Sequence, residues 1–145
     1  MKILMVCLGN ICRSPLAEGI MRHLSDNQEL GWELDSAGTG NWHVGHPPDH
    51  RAIKEAKKNG VDISMLRARQ FQTADFELFD KIFVMDRSNY NDVLRKAAND
   101  AQKAKVAFLL PDEKEVPDPW FDDALFAPVY KLIYNACKQI ADNQQ

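Results

Sequence analysis

The sequence has few cysteines, no large excess of either charge and no long apolar run, and each shortage excludes a class of protein. Three cysteines are too few, and odd in number, for a disulfide framework, and this usage is typical of a reducing compartment. A formal net charge of −3 gives no reason to expect nucleic acid as a partner. No N-terminal apolar run could serve as a signal peptide or a membrane span, so we expect a cytoplasmic protein without membrane insertion.

Repeats, linkers and low-complexity segments are also absent, and 145 residues are enough for one domain with a real core. We therefore predict a single domain over residues 1–145. Apolar runs at 3–6, 81–85 and 106–110 predict buried strands, and the alternation of apolar and polar residues over 32–36 predicts a half-buried strand. Helical patterns lie between these strands, and this alternation predicts an α/β fold.

The predicted helices have recognisable ends and faces. The first is expected to have Ser14 as its N-cap and Pro15 at its first position. Further helices are predicted before Gly60 and over residues 88–98. The last helix carries an apolar stripe of helical period. Its members are Leu125, Val129, Leu132, Ile133, Ala136 and Ile140.

Residues 7–14 form a loop between the first predicted strand and the first predicted helix, and they read Cys-Leu-Gly-Asn-Ile-Cys-Arg-Ser. Such a loop binds anions in α/β folds, because free N–H groups and the helix dipole converge there. Arg13 offers a planar fork that matches two phosphate oxygens, and Asn10 tolerates a left-handed backbone. The dipole and the cation both favour the thiolate of Cys7. A thiolate beneath a bound phosphate is a nucleophile aimed at phosphorus.

The segment CLGNICRSP resembles the phosphate-binding loop of low-molecular-weight protein tyrosine phosphatases. The resemblance continues through DSAGTGNWHVG, RARQ, VMDRSN and PDPWF in the family's order, and it covers nearly the whole chain. It implies a three-layer sandwich in which a four-stranded parallel sheet, of order 2-1-3-4, has helices on both faces. It also implies hydrolysis of phosphotyrosine in proteins, and of aryl phosphates, through a cysteinyl-phosphate intermediate without a cofactor or a metal.

Three residues are predicted to be catalytic. Cys7 attacks phosphorus, and Arg13 stabilises the charge on the phosphate oxygens. Asp118 is the predicted general acid, because Pro117 and Pro119 fix its backbone and the family places its acid in an Asp-Pro pair. The phosphate-binding residues that the resemblance implies are Leu8, Gly9, Asn10, Ile11, Cys12, Arg13 and Ser14. Nearby acids that compete with Asp118 for its role are Asp112, Asp122 and Asp123.

Aromatic residues in two loops are predicted to line the substrate pocket. They are Trp42, Trp120 and Phe121, with His43 at the rim. The family usually has two tyrosines where this chain has Trp120 and Phe121. Regulation through phosphorylation of those tyrosines is therefore not expected here.

Four further residues are predicted to support the chemistry. Ser14 can donate a hydrogen bond to the Cys7 sulfur, and Ser36 can help to hold Asn10. The family commonly holds this asparagine with a histidine as well, but here the position is Leu66, which leaves the second partner of Asn10 open. The resemblance also implies that Cys12 traps oxidised Cys7 as a disulfide.

Alternative functions rest on particular residues. His43, His46 and His50 have a spacing that resembles metal ligation, but they lie in a loop without paired cysteines. A thioredoxin-linked arsenate reductase needs further cysteines, and residues 60–110 contain none. A protein-arginine phosphatase is expected to carry threonine where this chain has Ile11. A non-catalytic phosphate-binding module would be expected to lose Cys7 or Asp118.

Overall fold

The centre of the fold is a sheet of four parallel strands, and the computed structural model describes residues 1–143. The strands are β1 (Lys2–Cys7), β2 (Glu33–Gly38), β3 (Lys81–Val84) and β4 (Val106–Phe108). Their order in the sheet is β2-β1-β3-β4, which confirms the predicted order. Because β1 lies in the interior of the sheet, its carboxyl end and the loop that follows it are flanked by strands on both sides.

Within residues 1–143, six helices connect and cover the strands. They are α1 (Arg13–Asn27), α2 (His50–Lys58), α3 (Asp75–Leu78), α4 (Arg87–Arg95), α5 (Asp100–Lys103) and α6 (Phe126–Asp142). Single 3₁₀ turns lie at Pro111–Glu113, Pro119–Phe121 and Asp123–Leu125. Among residues 1–143, no helix combines the length and the apolar character needed to cross a bilayer.

The sheet separates two apolar cores. Alternate residues of β1 point to opposite faces, so Ile3 and Met5 pack with α1, α2 and α6, whereas Leu4 and Val6 pack with α3 and α4. Both faces of β1 are fully buried, as its continuous apolar run predicts. The helices on both faces confirm the three-layer arrangement.

Several element boundaries differ from the prediction. α1 begins at Arg13, so Pro15 is its third residue, and the N-cap position is Cys12, whose side chain makes no capping hydrogen bond. The prediction that Ser14 caps this helix is therefore wrong. Leu132 is 39% exposed on α6, so it does not belong to the buried stripe. The buried face of α6 is formed by Phe126, Val129, Tyr130, Ile133, Ala136, Cys137 and Ala141.

Candidate active site

The loop from Leu8 to Cys12 joins the carboxyl end of β1 to the first turn of α1. Asn10 has a φ of 58°, in the left-handed region that asparagine tolerates. β2 packs closely against this loop, because a Cβ atom on Gly38 would lie 2.7 Å from the carbonyl oxygen of Leu8. Glycine at position 38 therefore lets the loop curl over the helix N-terminus.

The Cys7 sulfur is buried and receives two hydrogen bonds when it is a thiolate. The Ser14 Oγ lies 3.0 Å from Cys7 Sγ, and the backbone N–H of Asn10 donates to the same sulfur at 3.3 Å. The Ser14 hydroxyl accepts a hydrogen bond from Asn10 Nδ2 at 2.7 Å. Its own hydrogen is therefore available to the sulfur, which stabilises negative charge there.

Asn10 is held at all of its side-chain positions. Its Nδ2 group donates to Ser14 and, at 3.0 Å, to the Oγ of Ser36, while its Oδ1 accepts from the backbone N–H of Arg69 at 3.0 Å. Leu66 cannot bind the side-chain oxygen of Asn10. The backbone N–H of Arg69 binds this oxygen instead. Ser36 in turn donates to Glu18 Oε1 at 2.7 Å.

Glu18 closes this chain of hydrogen bonds in the interior. Its carboxylate is buried and pairs with Arg22 at 2.6 Å. Burial raises the pKa of Glu18, although the hydrogen bond from Ser36 and the charge of Arg22 oppose this shift. The loop that carries Cys7 is thus tied through Asn10 and Ser36 to the core-facing side of α1.

Arg13 is buried at the first position of α1, and two groups fix its guanidinium. Its Nη1 donates to Asp86 Oδ2 at 2.8 Å and to the carbonyl oxygen of Val116 at 3.0 Å. Burial by itself lowers the pKa of Arg13, but the negative charges of Cys7 and Asp86 outweigh it and the pKa is raised. The guanidinium is therefore charged, and the contacts with Asp86 and Val116 fix its orientation.

Asp118 lies across the cleft from the loop and begins the 3₁₀ turn at Pro119–Phe121. Its Oδ1 accepts from the N–H of Trp120 at 3.0 Å, and its Oδ2 is 3.8 Å from Arg13 Nη2. None of the three competing acids lines the cleft. Asp122 caps the N–H of Ala124 and Asp123 pairs with Arg51 at 2.6 Å, while Asp112 lies in the 3₁₀ turn at Pro111–Glu113. Asp118 lines the same cleft as Cys7.

The cleft has a volume of about 220 Å³, and most of the sequence-predicted site residues line it, whereas Asn10, Ser14 and Ser36 do not. The lining residues are Cys7, Leu8, Gly9, Ile11, Cys12, Arg13, Trp42, His43, Asp118, Trp120 and Phe121. The aromatic side chains stand at its mouth, since Phe121 is 91% exposed and Trp42 is 66% exposed. The rings of His43 and Trp120 are 5.9 Å apart and join the two loops across the mouth.

The three loop histidines do not form a metal site. His43 and His46 have ring centroids 5.6 Å apart, while the side chain of His50 is 90% exposed beside Asp49. Within the described part of the chain, no three histidine, cysteine or carboxylate side chains lie together in a way that could hold a metal ion.

Cys12 lies in the same loop as Cys7 and is also buried. Burial raises the pKa of the Cys12 thiol, and the negative charges of Asp49 and Cys7 raise it further. Cys12 is therefore a neutral thiol in the same loop as Cys7.

Three residues of this network were missed by the sequence analysis: Asp86, Glu18 and Arg69. Asp86 had a detectable signal, because it directly follows the third strand and so lies at the same sheet edge as Arg13. A buried arginine needs a carboxylate partner, and Asp86 is in place to provide it. Glu18 and the backbone of Arg69 carry no comparable signal, since their contacts join residues far apart in the sequence.

Comparisons with known proteins agree with this geometry. A sequence model described as low molecular weight phosphotyrosine protein phosphatase matches residues 2–145. A putative low molecular weight protein-tyrosine-phosphatase of Synechocystis sp. is 43% identical over 145 residues, which are 94% of this chain and 92% of that protein. A low molecular weight phosphotyrosine protein phosphatase of Rattus norvegicus is 40% identical over 144 residues, which are 94% of this chain and 90% of that protein. The crystal structure of a protein tyrosine phosphatase from Entamoeba histolytica matches with a TM-score of 0.92 and 36% identity, covering 99% of this chain and 96% of that one.

Proposed function

The chain belongs to the low molecular weight phosphotyrosine protein phosphatase family, and on that premise we propose that it hydrolyses phosphotyrosine in proteins through a cysteinyl-phosphate intermediate. One observation carries the proposal. A single cleft brings together a hydrogen-bonded Cys7 sulfur, an oriented Arg13 guanidinium and the Asp118 carboxylate. These are a nucleophile, an anion-binding cation and a proton donor within reach of one bound phosphate.

Phosphate binding is assigned to the loop from Leu8 to Ser14. The N–H groups in the first turn of α1 have no carbonyl partner within the helix, so they can donate to phosphate oxygens. Arg13 uses Nη1 for Asp86 and Val116, which leaves Nε and Nη2 for two oxygens of the substrate. This cradle matches the charge that spreads over the equatorial oxygens during phosphoryl transfer.

In the first chemical step, Cys7 Sγ forms a bond to phosphorus and the bond to the phenolic oxygen breaks. Asp118 gives its proton to that leaving oxygen, so the product is a neutral phenol and not a phenolate. Oδ2 of Asp118 is the oxygen suited to this transfer, because Oδ1 is bound to the N–H of Trp120. The enzyme then carries a phosphate on Cys7.

In the second step, water attacks phosphorus while the Asp118 carboxylate takes a proton from it. The sulfur–phosphorus bond breaks and Cys7 leaves as a thiolate. The Ser14 hydroxyl and the N–H of Asn10 stabilise this thiolate, at 3.0 and 3.3 Å from the sulfur. Inorganic phosphate is released and the site returns to its starting state.

The substrate class follows from the surroundings of the cleft. Ile11 and the aromatic residues Trp42 and Trp120 suit a flat phenyl ring, while the exposed Phe121 stands at the outer rim. Aryl phosphates should therefore be accepted and alkyl phosphates disfavoured. We also include a cytoplasmic location in the proposal, supported by three unpaired cysteines in the described chain. Reversible oxidation of Cys7, with Cys12 as the thiol that captures the oxidised sulfur, is the third part of the proposal.

The function is tested by turnover of phenyl phosphate and of a simple alkyl phosphate, each with and without a chelator. We expect turnover of the aryl ester alone and no effect of EDTA. Cys7→Ser should abolish turnover and retain phosphate or vanadate binding, because a serine hydroxyl is protonated at neutral pH while the cradle is unchanged. Near-normal turnover in this variant, or a loss with EDTA that zinc restores, would refute the proposed chemistry.

A further inference from the structure

The guanidinium of Arg51, in the first turn of α2, contacts residues from three separate segments. Its Nε and Nη2 donate to the two oxygens of Asp49, each at 2.9 Å, and its Nη1 donates to Asp123 at 2.6 Å. Its Cζ lies 5.5 Å from the ring centroid of Trp120 and 4.7 Å from that of Phe126. Arg51 takes no direct part in the proposed chemical steps.

On one side, Arg51 is fixed to the loop that cradles the phosphate. The N–H of Asp49 donates to the carbonyl oxygen of Ile11 at 2.8 Å, which joins the start of α2 to the middle of that loop. Asp49 also caps α2, because its Oδ1 accepts from the N–H of Arg51 at 2.8 Å. The bidentate pair with Asp49 therefore sets the position of the Arg51 guanidinium relative to the phosphate cradle.

On the other side, Arg51 holds the segment that carries the predicted acid, residues 117–123. The amino-terminal end of this segment follows Val116, which is anchored to the backbone of Met85 and to Arg13. Beyond Asp118, His43 and Arg51 connect this segment to earlier parts of the described chain. They do so through hydrogen bonds, ion pairs and ring contacts. Arg51 supplies both a charge pair and a stacking contact.

The link to the acid itself runs through Trp120. The N–H of Trp120 donates to Asp118 Oδ1, so a displacement of Trp120 moves the carboxylate. The Arg51 guanidinium lies over the Trp120 ring and pairs with Asp123 three residues later. Both contacts restrain the turn from which the Asp118 side chain projects.

We propose that Arg51 is a positioning residue for the general acid, which ties the acid-bearing segment to the phosphate-binding loop and thereby sets the distance from Asp118 to the leaving oxygen. The inference rests on the proposed function. A general acid must lie within hydrogen-bond reach of the atom it protonates, so a shift of the turn weakens proton transfer. Phosphate binding depends on Arg13 and backbone N–H groups, and it stays intact.

The test compares Arg51→Met and Arg51→Lys with the parent enzyme. Methionine retains an apolar stem that can pack on Trp120 but cannot pair with Asp49 or Asp123, while lysine keeps the charge and loses the bidentate geometry. Single-turnover rates of phosphoenzyme formation are measured for phenyl phosphate and for nitrophenyl phosphate, whose leaving group needs little protonation. Binding of inorganic phosphate is measured in parallel.

We expect Arg51→Met to slow the reaction of phenyl phosphate by about 10- to 100-fold, a part of the 10²–10⁴ that a general acid is typically worth. Nitrophenyl phosphate should slow by less than about threefold, and phosphate affinity should stay within about twofold. Arg51→Lys should lie between the parent and Arg51→Met. In the background of Asp118→Asn, the Arg51→Met change should add almost nothing, because both variants remove the same contribution.

Two control variants distinguish a positioning role of Arg51 from a purely structural one. Arg95→Met removes an arginine that pairs with Asp92 on α4 away from the cleft, and it should leave both rates unchanged. Asp123→Asn removes only the exposed end of the Arg51 contact, so it should fold and produce a smaller change in the same direction. An equal loss for both substrates in Arg51→Met and Asp123→Asn, or full additivity with Asp118→Asn, would make Arg51 a structural residue only. A parent enzyme without aryl phosphatase activity would instead refute the proposed function.

Discussion

At the scale of single residues, Asp118 has its two carboxylate oxygens in different surroundings. Oδ1 is bound to the N–H of Trp120, and Oδ2 lies 3.8 Å from Arg13 Nη2. We expect a phosphate bound to Arg13 to compete for this cation and to leave Oδ2 beside the ester oxygen. The proton required for departure of the phenol can then be carried by Oδ2.

Asp118→Asn keeps the size of the side chain and its contact with Trp120 but removes the proton. We expect formation of the intermediate from phenyl phosphate to slow by about 10²–10⁴-fold, with a smaller loss for nitrophenyl phosphate. Asp122→Asn is the matched control, because Asp122 caps Ala124 and does not line the cleft. Rates plotted against leaving-group pKa for the three proteins provide the measurement. If Asp118→Asn has the same slope as the parent and Asp122→Asn has a steeper one, Asp118 is not the general acid.

Cys12 is expected to capture oxidised Cys7. Peroxide converts the Cys7 thiolate to a sulfenic acid, and attack by the Cys12 sulfur forms a disulfide and releases water. Burial raises the pKa of Cys12, and the negative charge of Cys7 adds to that shift. This second contribution disappears when Cys7 becomes a neutral sulfenic acid. Because the thiolate is the attacking form, disulfide formation should accelerate as pH rises.

Cys12→Ser should therefore retain much of its activity and recover poorly with dithiothreitol after peroxide treatment. The parent should recover well, and mass spectrometry of the oxidised parent should find Cys7 linked to Cys12. Cys137 is fully buried on α6, which makes it a suitable comparison. A link from Cys7 to Cys137, or equal recovery of parent and variant, would contradict the trap.

Among single residues, the sequence predicts best those whose role depends on local context. Cys7, Arg13 and Asp118 are marked by a strand end, a helix start and a proline pair, and all three line one cleft. Of the two roles predicted for Ser14, the contact with the Cys7 sulfur is present and the capping role is wrong. A capping hydroxyl binds a backbone N–H in the next turn of its own helix. The Ser14 hydroxyl instead contacts the sulfur of Cys7 and the side-chain amide of Asn10, which the folded loop brings to it.

At the scale of elements, the type of each long segment was predictable and the ends were less so. α4 was predicted over 88–98 and spans Arg87–Arg95, and the strand predicted over 106–110 is only Val106–Phe108. Apolar residues such as Leu109 and Leu110 are buried without being in the strand, so periodicity alone cannot place its end. The short α5 has no buried residue and therefore gave no apolar pattern to detect.

The start of α2 gives a prediction on stability. Hydrogen bonds from Arg51 lower the pKa of Asp49 below its ordinary value. A folded-state pKa below the unfolded value stabilises the folded protein above the unfolded pKa, and this stabilisation is lost as the pH falls through the folded pKa. Asp49→Asn keeps the cap but lacks the ion pair, so its free energy of unfolding should be lower by about 1 kcal/mol near neutral pH.

The measurement is urea unfolding of parent and variant from neutral pH down to the acid range. The difference between Asp49→Asn and the parent should shrink as the pH falls, because the parent alone loses the stabilisation from Asp49. Asp142→Asn is the control, since Asp142 also has a pKa lowered by its partners but lies exposed, where solvent screens the pair with Lys138. A constant difference at all pH values would mean that the Asp49 carboxylate is not the source.

At the scale of the whole molecule, the α/β class follows from the alternation of patterns, but the order of the strands does not. Any arrangement with right-handed crossovers satisfies the same periodicity, and the order 2-1-3-4 came from the family resemblance. That order puts β1 between β2 and β3, so the residues after β3 reach Arg13 while those after β2 pack on the loop. The site thus depends on the order of the strands, which cannot be predicted from any single segment of the sequence.

Four exposed apolar side chains lie together at one place on the described surface. Leu8, Trp42, Trp120 and Phe121 all line the mouth of the cleft, and each is at least 40% exposed. A phosphotyrosine seated in the cleft brings the neighbouring residues of its polypeptide over this rim. A small aryl phosphate reaches the same phosphate cradle and has nothing to place on the rim.

Phe121→Ser should therefore separate polypeptide substrates from small ones. If contact with a peptide buries ~50 Å² of the Phe121 ring, its loss costs on the order of 1 kcal/mol, or about fivefold in kcat/KM. We expect that loss for a phosphotyrosine peptide with apolar neighbours, and a change of less than about twofold for phenyl phosphate. Leu132→Ser is the matched control, because Leu132 is an exposed apolar residue on α6 that does not line the cleft. Equal losses for the peptide and for phenyl phosphate in Phe121→Ser would instead mean that this ring contacts the phenyl group itself.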